Sequence, residues 1–160
     1  MSTKSLPPIQ PIPDLQSSST ISNNCHKSTN NIPDNYALHY LRSVGSEHFN
    51  NKESATVELK LKGFPNDPFY IHREYLVTQS TFFRDLFQNL KQGDLVIIEA
   101  PSPETFSDVL EWLYTGDSDK FYDSMTEYNW HEIWENVEFL GLGIEAKTIC
   151  MAFYQEVIDV

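Results

Sequence analysis

His72-Arg73-Glu74 is the first place in this chain where an imidazole, a guanidinium and a carboxylate stand side by side, inside "FYIHREYLVTQSTFFRDLF" (69–87). Such a trio can move a proton or bind an anion, but it can equally mark the point where a strand turns into a helix. The catalytic reading needs a partner for His72, and none lies near it in sequence. The other candidates fail on spacing. His131-Glu132 opens "HEIWE", but a zinc-binding helix needs its second His four residues on, and position 135 is Glu. Asp117, Asp119 and Asp123 are spaced like calcium ligands, yet the loop's glycine and closing Glu are missing at the required offsets. Gly93, Gly116, Gly141 and Gly143 form no phosphate-cradling loop, and no nucleophile elbow surrounds any Ser. The residues therefore predict no catalytic site, no metal and no cofactor, and the chain is not expected to be an enzyme.

The totals narrow the alternatives. A chain of 160 residues with 40% hydrophobic and 13% aromatic residues can bury one ordinary core. The net charge is −12, and residues 51–160 carry all of it, with eight Lys/Arg against twenty Asp/Glu. Such a surface repels phosphate backbones, so direct nucleic-acid binding is not expected. Cys25 and Cys150 supply neither a disulfide framework nor a metal pair, which fits a reducing, intracellular setting, cytoplasmic or nuclear. No apolar run is long enough to span a membrane, and with no apolar run behind Lys4 a secretory signal is not expected.

The elements that must position these residues follow from punctuation and period. Residues 1–33 are rich in Ser, Pro and Asn, carry five prolines, and predict a disordered tail. The folded domain is expected over 34–160. "DNYALHYLRSV" (34–44) reads as a short helix capped by Asp34. "TVELKLK" alternates as a strand with one wet face, "GFPNDP" turns, and "FYI" pairs back before a helix begins near Arg73. "DLVIIEA" (94–100) reads as a third, more buried strand. "PSPETFSDVLEWLYTG" predicts a helix capped by Ser102, with Pro103 first and Gly116 last. "DSDKFYDSMTEY" reads as a polar link, and two further helices meet at "GLG".

This order, with these local sequences, resembles the BTB/POZ domain over roughly residues 50–159. His72, Arg73, Leu76, Ser80 and Phe82-Phe83 match the family's His-basic-Leu-Ser-aromatic pattern. "FSDVLEWLYTGD" is similar to its third helix and Tyr-Thr-Gly ending, and "WENVEFLGLGIEAKTICMAFYQEV" to its closing helical hairpin. The resemblance implies an α+β fold, a small three-stranded sheet flanked by five to six helices. In it His72 packs at a strand-to-helix corner, Ser80 caps the next helix, and Phe82, Phe83, Leu86, Phe87 and Leu90 form that helix's buried side. It also implies a dimerisation and partner-recruitment module, with a dimer face at Tyr36, Leu38, Leu41, Arg73 and Leu76. The apolar side of "YALHYL" agrees, being too short to stand alone. Expected partners are itself or another BTB protein, most simply as a homodimer. A cullin is a further candidate, making the chain a possible ubiquitin-ligase adaptor, with Leu90, Lys91 and Gln92 as the cullin-facing loop. The family's apolar-x-Glu motif there ends in Gln92, which lacks the charge. No substrate-reading domain is expected after the last helix, so a plain oligomerisation module is the alternative. Transcription-factor members carry an Asp–Arg pocket, where this chain has Thr56 and Arg73.

Overall fold

The computed structural model describes residues 34–159, so the predicted tail over 1–33, including Cys25, lies outside the described residues. The chain divides into two compact units between His39 and Tyr40, and the second unit holds the sheet and core.

Val57–Leu61 forms β1. Val57, Leu59 and Leu61 are buried there while Lys60 is exposed, as the alternation requires. Phe69–Ile71 (β2) pairs with β1 antiparallel, and Leu95–Ile98 (β3) pairs with it parallel, giving the order β2-β1-β3. The helices are α1 (Asp34–Ser43), α2 (Gly45–His48), α3 (Arg73–Leu76), α4 (Thr81–Phe87), α5 (Phe106–Thr115), α6 (Ser118–Asp123), α7 (Trp130–Leu140) and α8 (Ile144–Phe153). The last runs on as a π-helical turn over Tyr154–Ile158. Lys52–Ser54 and Pro103–Thr105 are single 3₁₀ turns.

The core gathers β1, Ile71 and Ile98 with Phe83 and Phe87 of α4, Phe106, Leu110 and Leu113 of α5, and Ile133, Val137 and Leu140 of α7. Two close approaches set its shape. A Cβ on Gly45 would stand 1.9 Å from the carbonyl oxygen of Tyr114, so only glycine lets α2 lie against α5. Gly141 ends α7 at φ +63°, where a Cβ would strike Thr81 Oγ1 at 1.9 Å.

Three local expectations give way. The apolar run of β3 is not the more buried strand: β3 is an edge, and Leu95 and Ile97 are 54% and 61% exposed. The "DSDKFYDSMTEY" link contains a helix, because Asp117 accepts the Lys120 N–H as N-cap and Phe121 is buried as its anchor. Ser102 does not cap α5 through its hydroxyl, which donates to Glu135 (3.0 Å), and a 3₁₀ turn led by Pro103 precedes the helix. The Ser80 cap of α4 is present: Oγ accepts from the Phe83 N–H (3.0 Å) and donates to the Leu140 carbonyl (2.6 Å).

Phe83 is fully buried between Phe82 and Phe87. Phe83→Ala should cost about 3–5 kcal/mol, read as a lower midpoint in chemical denaturation. A variant that melts with the wild type would place α4 in the wrong register.

Candidate functional site

His72 sits where β2 ends and α3 begins, 1% exposed. Tyr114 Oη accepts the His72 backbone N–H (2.8 Å) and lies 2.7 Å from His72 Nδ1. The phenol needs an acceptor for its own proton, and Nδ1 is the acceptor in reach, so the tautomer places the ring proton on Nε2. Nε2–H then donates to Ser54 Oγ (2.8 Å). Burial drives the imidazole pKa below its ordinary value; the Glu74 carboxylate opposes this and His48 adds to it. Burial also pushes the Tyr114 hydroxyl well above the usual phenol range. Both ring nitrogens are engaged inside the fold, and His72 is a structural corner. Among the described residues no three His, Cys, Asp or Glu side chains gather as a metal site.

The residues expected to face a partner separate on inspection. Tyr36 and Tyr40 stand four apart on α1 and are 62% and 63% exposed, while Leu38 is half-buried. Leu41 is half-buried too and packs against the core. Arg73 is exposed, but its guanidinium lies 5.9 Å over the Phe87 ring, and Nη1 donates to the Phe87 carbonyl (3.4 Å). Leu76 is a correction: it is fully buried, so it supports α3 from within and offers no side chain to a partner. The resemblance placed Leu76 on the dimer face with the rest of its helix, and α3 is a single turn, too short for a helical period to reveal its inner side.

The loop between α4 and β3 holds the second group. Leu90 is half-buried against the core, and Lys91 and Gln92 are exposed. The Gln92 amide donates to the Ala55 carbonyl (2.7 Å), so it is committed within the chain. Beside it a groove of about 210 Å³ runs over Thr56, Glu58, Tyr70 and Gln92. Thr56 Oγ1 accepts the Arg73 backbone N–H (3.0 Å). With a neutral Thr here and the Arg73 side chain turned to Phe87, no opposed charge pair forms.

Two anchors escaped sequence reasoning. Asn136 is fully buried, and its amide bonds both the N–H and the carbonyl of Ser102 (3.3 and 2.7 Å), locking α7 to the turn after β3. Arg42 lays its guanidinium 4.8 Å over Trp112 and donates from Nη2 to Gln79 Oε1 (2.8 Å) and from Nη1 to Glu145 (3.5 Å). Gln79 in turn donates to the carbonyls of Tyr75 and Leu113. Cys150 is a free, buried thiol, and desolvation pushes its pKa up to about 12, out of the reactive range.

A family model described as the BTB/POZ domain matches residues 46–140. Among solved structures, the BTB domain of zebrafish PATZ1 superposes with a TM-score of 0.53 at 19% identity, covering 85% of this chain and 98% of that one. The BTB domain of human gigaxonin superposes with a TM-score of 0.55 at 19% identity, covering 76% of this chain and 92% of that one. At such identity the likeness is one of fold. No curated protein matches the chain.

The His72 corner predicts a pH response. The folded state holds His72 neutral, with a pKa below the ordinary 6.5, so the unfolded state binds more protons as pH falls. Its contribution to stability is full above pH 6.5 and is lost as pH drops through the lowered folded value. Denaturant melts at pH 7.5 and 5.5, conditions on the order of one unit either side of the ordinary imidazole value, should show the loss. His72→Gln should be about 1–3 kcal/mol less stable at the higher pH, with a flatter pH dependence. An unchanged slope in the variant would remove His72 as the source.

Proposed function

The chain belongs to the BTB/POZ family, whose members are protein-interaction and oligomerisation modules, and on that premise we propose that it acts by pairing with a second copy through the outer side of α1. The observation that carries this is the pair of exposed tyrosines, Tyr36 and Tyr40, one helical turn apart. Tyrosines bring large apolar area with a polar tip and little rotamer entropy to lose, which suits the centre of an interface. A symmetric dimer would set this helix against its own copy. Leu38 belongs to the same proposal. A second BTB protein in place of a second copy is the heteromeric form of it. An intracellular setting, cytoplasmic or nuclear, accords with the free Cys150 thiol.

Cullin docking is the second reading, favoured by the surface position of Lys91 and Gln92 after α4. Against tight docking stand the missing carboxylate and the bond from Gln92 to Ala55. Exchanging Gln92 for Glu would remove that donor while adding a charge, so the two effects oppose one another.

Two measurements decide between these readings. Tyr36→Glu/Tyr40→Glu, at exposed positions, should leave the melting temperature near that of the wild type and lower the mass by light scattering toward monomer at tens of micromolar, roughly the range of moderate interfaces. Unchanged mass would move the interface elsewhere. Titrating the wild type into a cullin N-terminal domain in a calorimeter should give weak heat that Gln92→Glu alters by no more than about tenfold in affinity. The absence of heat in both leaves the plain oligomerisation module.

A further inference from the structure

The sheet treats its two edges differently. At β2 the backbone N–H of Tyr70 points away from β1, and the side chain of Asn50 accepts it (2.8 Å), from a residue held at φ +58°. That edge is closed at the cost of an uncommon backbone conformation. At β3 the hydrogen bonds to β1 use Asp94, Val96 and Ile98: Glu58 N–H donates to the Asp94 carbonyl (2.9 Å) and Lys62 N–H to the Ile98 carbonyl (2.7 Å). In a parallel ladder the intervening residues, Leu95 and Ile97, therefore direct both N–H and C=O outward. Among the described residues no strand pairs with that edge. The strand is short, but Leu95-Val96-Ile97-Ile98 contains no Lys and no Pro to blunt it further.

The side chains at the same two positions lie on the outer face. Register pairs Leu95 with Glu58 and Ile97 with Lys60, and Leu95 and Ile97 are 54% and 61% exposed. One short edge thus offers two free backbone pairs and two large apolar side chains together.

We propose that the open edge of β3 is a second self-association surface, on which β3 of another copy pairs antiparallel about a two-fold axis to extend the sheet. The pattern is self-complementary in one register. With Leu95 opposite Ile97 of the second copy, and Ile97 opposite its Leu95, each pair exchanges both N–H···O bonds, and the outward-facing residues of the two strands meet in phase. The four apolar side chains then cluster on one face. Each row across the joined sheet reads Glu58, Leu95, Ile97 of the second copy, Lys60 of the second copy, so opposite charges flank the apolar centre. Of the two neighbouring registers, Ile97 on Ile97 would set Leu95 against the Glu99 carboxylate of the second copy, and Leu95 on Leu95 would set Ile97 against Gly93, which has no side chain to pack on. Locally the face is balanced, with Glu58 and Glu99 against Lys60 and Lys62. The chain as a whole carries −12, so two copies repel at long range. Salt should therefore strengthen this contact by screening that repulsion. The surface is separate from α1, and together the two would link pairs into larger assemblies.

The test separates the two surfaces. In the full chain carrying Tyr36→Glu/Tyr40→Glu, sedimentation velocity over micromolar to hundreds of micromolar, roughly the span of weak to moderate interfaces, should still show a concentration-dependent dimer. Adding Leu95→Lys/Ile97→Lys should weaken it by about tenfold or more, since a charge on an edge opposes pairing. Both lysines sit at exposed positions, so the melting temperature should hold. Hydrogen exchange at the Leu95 and Ile97 amides should slow with rising concentration in the chain that keeps β3 intact. The proposal is overturned if the tyrosine variant is monomeric throughout and those amides exchange at one rate at every concentration. It is also overturned if only a chain lacking residues 1–33 associates through β3, which would assign the edge to that segment.

Discussion

The hydroxyl of Tyr114 holds together elements that the chain brings from far apart. It binds the backbone N–H and the ring of His72, fixing the corner between β2 and α3 against the last turn of α5. Its ring stacks on Tyr75 at 4.4 Å and meets Phe49 edge-on at 5.4 Å. Its backbone carbonyl is what α2 approaches at Gly45. Tyr75 extends the assembly by donating to the Leu41 carbonyl (2.7 Å) at the end of α1. A phenol removed from water gives up strong hydration, so the site is stable only while His72 stays neutral and receives the proton. Ser54 holds the other side of the imidazole, and one bond network thus spans the 3₁₀ turn before β1, the strand corner and α5.

That arrangement explains why the polar residues inside this fold are positioned and not reactive. His72, Ser80 and Asn136 are each buried with their bonds committed to backbone or neighbouring hydroxyls. Among the described residues, the buried side-chain atoms without a partner are Arg42 Nε and Trp112 Nε1. Both belong to the one contact in which the guanidinium lies over the indole. There the attraction of the cation for the ring face offsets part of the guanidinium's desolvation, while both N–H donors stay unpaired.

Much of the fold was legible because its signals are local. The alternation in β1, the Ser80 cap, the Gly116 and Gly141 helix ends and the aromatic stripe of α4 each act within a few residues. What stayed hidden depends on partners distant in sequence. Asn136 is an unremarked polar residue until it meets Ser102, and Arg42 reads as surface charge until it meets Trp112 and Gln79. Leu76 and the β3 residues failed for a different reason. An apolar residue in a short element gives no period, so its direction is set only by the packing of a helical turn or, in a strand, by the register with its neighbour. Register with Glu58 and Lys60 is what turns Leu95 and Ile97 to the outside. Of the predicted partner-facing residues, Tyr36 stands clear on the surface; Leu41 and Arg73 share their side chains with the core or with Phe87.

The surface then carries the functional meaning. On a chain with a net charge of −12, general electrostatic attraction between copies is absent, so the proposed self-association would have to come from local apolar area that outweighs repulsion. Among the described residues, the tyrosines of α1 and the edge of β3 each set two large exposed apolar side chains together, and they differ in physics. Side chains alone would make an α1 contact, which would tolerate a related helix as partner. An edge strand adds backbone hydrogen bonds whose spacing admits only a strand of matching phase, with side chains choosing the register. A closed pair through the first and a second pair through the other would both be two-fold contacts. Two different two-fold axes on one molecule do not saturate each other, and copies joined through both continue into an open chain unless the axes meet so as to close a ring.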